Sequence, residues 1–259
     1  MKKLLLPVLT SLLSFNCSEE KPESIHNDLF FDNLNGPVEK VEELPFTPDA
    51  TGNTGEMDSC CISVLEYDEK GYRTVQAEKD RNEHIKNGQI YTSRHANGHV
   101  KEIKFIVDGN IVSILTSTIA DDGSYSKSQI HDTSGKLISF YDSLEINDYG
   151  KIIVMRNFNP DSTPNQTVIN NYLEQIFVGG TIKDGSGNEI YSTQIKLNAN
   201  LDPSEIKQAS FMNNGVDSAI TRRIYTGYDK HNNWIQSTEM DEKGKTKRVL
   251  KRRITYRGN

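Results

Sequence analysis

The sequence predicts an all-β protein, and three observations carry that prediction. Turn signals recur along the chain: "DEKG" (68–71), "KNG" (86–88), "ANG" (96–98), "VDGN" (107–110), "ADDG" (120–123), "DTSG" (132–135) and "NDYG" (147–150). Their glycines fall roughly 10 to 17 residues apart, near the spacing of serial hairpins. Between them apolar and polar residues alternate, as in Lys101-Glu102-Ile103-Lys104-Phe105-Ile106-Val107 and Gly135-Lys136-Leu137-Ile138-Ser139-Phe140-Tyr141, the two-residue period of a half-buried strand. Hydrophobic residues make up only 35% and mean hydropathy is −0.62, which suits sheets wet on one face rather than a parallel sheet covered on both. The expectation is an antiparallel meander of serial hairpins forming an extended or curved sheet, with partial wrapping as the alternative and little helix beyond the first residues.

Taken in order, residues 1–16 read as a removable leader, 17–28 as a polar tether without periodicity, and 29–259 as one all-β domain of a size common for that class. "LFFDNLNGPVEKVEELPF" (29–46) reads as a first strand, with Val38 and Val41 beyond a Gly36-Pro37 turn. "TPDATGNTGEMDS" (47–59) reads as a loop. A strand starts at "SCCISVLEY" (59–67), and the hairpin rhythm then runs to "KDGSGNE", "MNNG", "DKHNN" and a second "DEKG" (241–244). One helical turn is expected at "DPSEIKQ" (202–208), with Asp202 as N-cap and Pro203 at the first position.

The leader has a distinct pattern. Lys2 and Lys3 precede an apolar run from Leu4 to Phe15, roughly a dozen residues against the ~20 of a membrane-spanning helix. A basic start and a short apolar core make a secretory signal. The run then meets Leu13-Ser14-Phe15-Asn16-Cys17, which resembles a bacterial lipobox, with Phe15 and Asn16 where the strict pattern has small residues. The resemblance implies diacylglycerol on the Cys17 thiol, cleavage before it and acylation of the new amino group. Two or three acyl chains anchor stably where one does not. Ser18 at the second mature position is similar to the pattern released to the outer membrane, and Ser18-Glu19-Glu20-Lys21 resembles acidic surface-export tags. The implied address is the outer membrane, with the cell surface as a lean.

Tyr67-Asp68-Glu69-Lys70-Gly71-Tyr72-Arg73 and Tyr228-Asp229-Lys230-His231-Asn232-Asn233-Trp234 resemble each other, and both resemble the YD repeat of Rhs-type β-repeat proteins. Similar hairpins occur in uncharacterised bacterial envelope lipoproteins. The chain departs from the repeat family in lacking a tandem array and in having Asn232 where the unit has Gly; asparagine tolerates the left-handed conformation better than most residues. The resemblance implies a hairpin fold with aromatics packed across strands, and a fold does not fix a function.

Candidate chemistry is sparse. Three cysteines less Cys17 leave Cys60 and Cys61, adjacent at the expected strand start where side chains point to opposite faces; two separate small residues are the expected reading, and no Cys-x-x-Cys or Cys/His spacing suggests a metal. His95 and His99 share a face only if their loop has three residues, and no third ligand is evident. "DGSGNE" (184–189) lacks the Gly and Glu positions of a calcium loop and reads as a hairpin. No G-x-S-x-G, H-E-x-x-H or Walker pattern occurs, so no enzyme, cofactor or metal is expected. The formal net charge of −6 argues against a nucleic-acid partner. The last segment is basic, and Lys247, Arg248 and Arg252, with Tyr228 and Trp234, form the candidate ligand-binding set, facing an anionic glycan or an acidic protein. The plainer readings are a solvated edge strand for the basic segment and core packing for Trp234. Together these point to a non-catalytic binding or interaction protein held at a membrane. A structural assembly role is the second reading, and a glycan-directed hydrolase the third.

Overall fold

The computed structural model describes residues 27–258, apart from 59, 122, 150, 213 and 214. It contains one short helix, α1 (Asp28–Phe31), and seventeen strands among the described residues. The strands are β1 (Val38–Pro48), β2 (Thr54–Met57), β3 (Ile62–Tyr67), β4 (Arg73–Lys79), β5 (Ile85–Arg94) and β6 (Val100–Val107). There follow β7 (Asn110–Ile119), β8 (Tyr125–Asp132), β9 (Leu137–Ile146), β10 (Ile152–Phe158), β11 (Pro164–Leu173) and β12 (Ile176–Asp184). The last are β13 (Glu189–Leu197), β14 (Pro203–Met212), β15 (Gly215–Tyr228), β16 (Trp234–Met240) and β17 (Thr246–Tyr256).

From β3 to β17 each strand pairs antiparallel with the next. β1 then pairs with β17 on one side and β3 on the other. The meander therefore closes into a 16-strand antiparallel β-barrel, with β2 a short extra strand folded onto the end of β1. This corrects the expected extended sheet. Closure satisfies the edge groups that an open sheet would leave unpaired. It also gives the basic C-terminal strand a partner on both sides, so β17 is not an edge.

The hairpins are built by one recurring device. Asp68, for example, donates its backbone N–H to the Tyr72 carbonyl, and Gly71 donates to the Asp68 carbonyl. The Asp68 carboxylate meanwhile accepts from the backbone of Lys70 and Tyr72. The same pattern recurs at Asp80, Asp132, Asp184, Asp229 and Asp241. This is a type I turn followed by a left-handed residue, which Asn232 supplies at φ 64° in the second Tyr-Asp hairpin.

Three local expectations change. Residues 28–31 form a helical turn rather than strand, capped by the Asn27 side chain, which accepts from the Leu29 N–H at 2.7 Å. The loop 47–59 contains β2. "DPSEIKQ" begins β14 rather than a helix: β13 and β15 flank it and bind its backbone on both sides, outweighing a local Asp-Pro start signal. Cys60 and Cys61 lie just before β3, outside the strand alternation, with Cys61 at φ 75°, and they are joined by a disulfide. The expectation of two separate residues is corrected accordingly.

The seam is where sequence charge becomes architecture. Acidic β1 faces basic β17: Arg252 Nη2 lies 2.6 Å from the Glu43 carboxylate inside the barrel, and Arg253 lies 3.4 Å from Glu42 outside. Burial opposes ionisation of Glu43, yet Arg252, aided by Arg223 and Arg248, outweighs it and holds the carboxyl below its usual range. A depressed carboxyl contributes stability above its unfolded value, about 4.3, and loses it as pH falls through the folded value. Glu43→Gln is therefore expected to lower the melting temperature at pH 7, with the gap to wild type closing below about pH 4. Parallel melting curves from pH 7 to 2.5 with a constant gap would count against the seam's dependence on this ion pair.

Candidate functional site: the capped mouth of the barrel

Alternation along each strand assigns the two faces. Val41, Leu65 and Tyr67 pack with α1 and Leu34, so their face is the interior. Following the registers around, the interior row runs Val41–Leu65–Gln76–Gln89–Phe105–Ser113 and, further round, Ser117–Ser128–Tyr141–Asn157–Gln166. Ser117, Ser128, Asn157, Ser237 and Glu239 are buried there. The interior thus mixes polar and aromatic side chains with an apolar cluster of Leu29, Leu34, Val41, Leu65 and Ile254 beneath the covering segment. The outer face carries Glu42, Lys104, Arg156, Lys207, Arg222 and Lys251 along its strands, with ion pairs such as Arg156–Glu145 at 3.2 Å and Lys196–Glu205 at 2.7 Å.

One mouth is covered by the segment that leads into β1. Asp28 binds Arg94 at 2.7 Å and accepts from the Arg73 backbone N–H. Asp32 accepts from Arg73 Nη2 and, at 2.6 Å, from the Tyr67 hydroxyl. Asn33 donates to Asp202 and to the Asn200 carbonyl. Asn233, 1% exposed, clasps the Asn35 backbone by accepting from its N–H and donating to its carbonyl. The cap thus runs from the β3–β4 turn across to the β13–β14 and β15–β16 turns before entering β1. Asn27 and Asp28, expected in the tether, belong to it.

The Phe31 ring sits between walls far apart in the ring of strands. Arg73 of β4 lies 5.9 Å from its centroid, the Lys151 ammonium 5.0 Å, and the Tyr172 ring of β11 6.2 Å. Beside it is a cavity of about 240 Å³ lined from β5, β8, β10 and β11 together with Asp28. Burial pushes Lys151 below the usual lysine range, against the opposing pull of Asp28 and Asp32. Burial also pushes the Tyr172 phenol up to about 12.

Of the residues singled out by sequence, Tyr228, Trp234 and Arg252 come together, Tyr228 opposite Trp234 in the β15–β16 register and Arg252 stacked on its ring, but as packed wall rather than an open site. Trp234 is 2% exposed, with the Arg252 guanidinium 3.6 Å from its ring centroid and Tyr225 at 5.4 Å; its face is covered by protein. Arg252 is committed to Glu43, and Arg248 to Glu239, which also binds Arg223. Tyr228 donates to Asp202 at 2.9 Å. Lys247 is exposed, on the face opposite Arg248. The basic C-terminus is thus largely spent on the seam and the wall. Cys17 lies outside the described residues.

His95 and His99 do close a three-residue loop. His95 Nε2 nevertheless contacts the Ser117 carbonyl at 3.0 Å, and His99 packs on Tyr125. No group of three or more His, Cys, Asp or Glu among the described residues is placed to hold a metal. Sequence reasoning missed the cap and Lys151. The cap residues Asp28, Asp32 and Asn33 had a visible signal, polar residues interleaved with Leu29, Phe31 and Leu34; Lys151 had none beyond its place after a turn.

Comparison with known proteins supports the architecture. No protein-family model matches the chain, and no curated protein matches it. Among solved structures, a porin-like protein from Bacteroides uniformis aligns over 85% of this chain and 98% of its own, at 12% identity and a TM-score of 0.52. A porin-like protein from Bacteroides vulgatus covers 86% of this chain and 99% of its own at 12% identity, with a TM-score of 0.34. A Photorhabdus luminescens Tc holotoxin pore covers 83% of this chain and 15% of its own at 10% identity, with a TM-score of 0.25. Of these three the first bears on the fold, and it supports a closed β-barrel.

Proposed function

We propose that this chain is an outer-membrane lipoprotein, acylated at Cys17, whose barrel stands in water and binds a ligand at its capped mouth without catalysis. The observation that carries the reading is the outer wall. A membrane-spanning barrel presents an apolar band about 25 Å tall, and a Lys or Arg at its midplane costs about 2–4 kcal/mol. Here charged residues lie along the wall on β1, β6, β10, β14, β15 and β17. The membrane link then falls to the acylated Cys17 left at the new amino terminus once the leader is removed, and the polar and aromatic side chains of the interior supply a place for a ligand. The paired Tyr-Asp hairpins fit a Rhs-like origin for the wall.

The test is membrane fractionation of full-length protein with metabolic palmitate labelling. Wild type is expected to take the label and to sediment with outer membranes. Cys17→Ala should lose the label and, once exported, remain soluble. A Cys17→Ala protein that still resists extraction with alkaline carbonate would show that the barrel itself is embedded, overturning the reading.

A further inference from the structure

We propose that the cavity beside α1 binds a small carboxylate-bearing solute through Lys151. This names the ligand class for the ligand-binding reading above and rests on it. Three cations, Arg73, Arg94 and Lys151, face two carboxylates, Asp28 and Asp32, around the cap. The carboxylates are taken by the arginines: Asp28 pairs with Arg94 at 2.7 Å and Asp32 with Arg73 at 2.6 Å. Among the described residues the Lys151 ammonium has no hydrogen-bond or ion-pair partner and rests on the Phe31 ring. One positive charge is therefore left over, in the wall of a cavity.

The surroundings narrow the anion. Tyr172 also lines the cavity, and its hydroxyl has no partner among the described residues; with its pKa at about 12 it remains a donor at neutral pH. The Tyr125 hydroxyl accepts from the Val100 N–H, which leaves its own proton to donate. Ile152 and Met155 add apolar floor. A single carboxylate balances one unpaired ammonium, whereas a doubly charged phosphate would bring a second negative charge into a partly buried site with no cation to meet it. At about 240 Å³ the cavity is below the ~300–1,000 Å³ of drug-sized sites, so the solute is of monosaccharide or amino-acid size. Burial disfavours the charged form of Lys151, and an incoming carboxylate reverses that penalty.

Thermal shift on the full-length, detergent-solubilised protein gives the test. The probes are glucuronate and benzoate, their neutral counterparts glucose and benzamide, and inorganic phosphate. The two carboxylates are expected to raise the melting temperature with saturating dependence and the neutral counterparts to leave it unchanged. Lys151→Met should weaken the carboxylate response at least tenfold, and Lys151→Arg should keep it. Equal shifts from charged and neutral partners would overturn the assignment. So would a response to phosphate alone, or undiminished binding by Lys151→Met. If Lys151→Met fails to fold, the wild-type comparison and Lys151→Arg still decide. Absence of any carboxylate response in protein that sediments with membranes and carries the palmitate label refutes the pocket without touching the anchored-barrel reading.

Discussion

Asp32→Ala is expected to destabilise the protein by about 3–5 kcal/mol, the range for removing one partner of a buried ion pair. Asp32 and Arg73 have side chains only 14% and 12% exposed, so solvent does little to screen the loss. The Arg73 guanidinium would keep the Gln76 side chain at 2.7 Å, while its Nε is already buried without a partner. The Tyr67 hydroxyl, on a residue 4% exposed, would lose its acceptor. For a chain of this size the loss corresponds to a melting shift on the order of 10 °C. Asp32→Asn retains an acceptor for Tyr67 and should fall between the two. Amide exchange at 29–34 should accelerate in step, because these residues are held down by the same contacts. A melting temperature within a degree or two of wild type would mean that the cap does not depend on this pair.

Trp234→Ala should cost a similar amount, about 3–5 kcal/mol for deleting a buried aromatic. Part of that is the stacked guanidinium of Arg252, a cation–π contact worth ~0.5–2 kcal/mol. The substitution would leave a hole between Tyr225 and the seam, next to the Glu43–Arg252 pair that joins β1 to β17. Trp234→Phe should recover most of the loss by refilling the volume. Urea denaturation followed by circular dichroism reads the effect directly. The result separates the two roles that sequence offered for this residue. A ligand-binding platform would lose binding with stability intact; a seam-packing residue loses stability first. An unchanged denaturation midpoint would revive the platform.

The turns were legible because their information is local. An Asp followed three residues later by Gly or Asn carries its own hydrogen-bonding geometry, so hairpins at 68–71, 132–135 and 229–232 could be read from a few residues each. The helical turn expected at 202–208 failed because its signal was local while its outcome was not: two neighbouring strands bind its backbone. The polar–apolar pattern of the cap was visible, but its partners were not, because Asp28 meets Arg94, Asn33 meets Asp202 and Asn35 meets Asn233 across distances in sequence that no motif encodes.

By itself, then, the sequence determined an all-β chain of consecutive hairpins, since alternation and turn chemistry act over a dozen residues or fewer. Only the tertiary structure decided that the meander closes. Closure requires β1 to pair with β3 on one side and with β17, at the far end of the chain, on the other. The acidic "VEKVEEL" and the basic "KRVLKRR" were each visible, but nothing in either stretch states that they face each other. The twist accumulated from strand to strand around the ring brings them together, and their opposite charges then hold the seam.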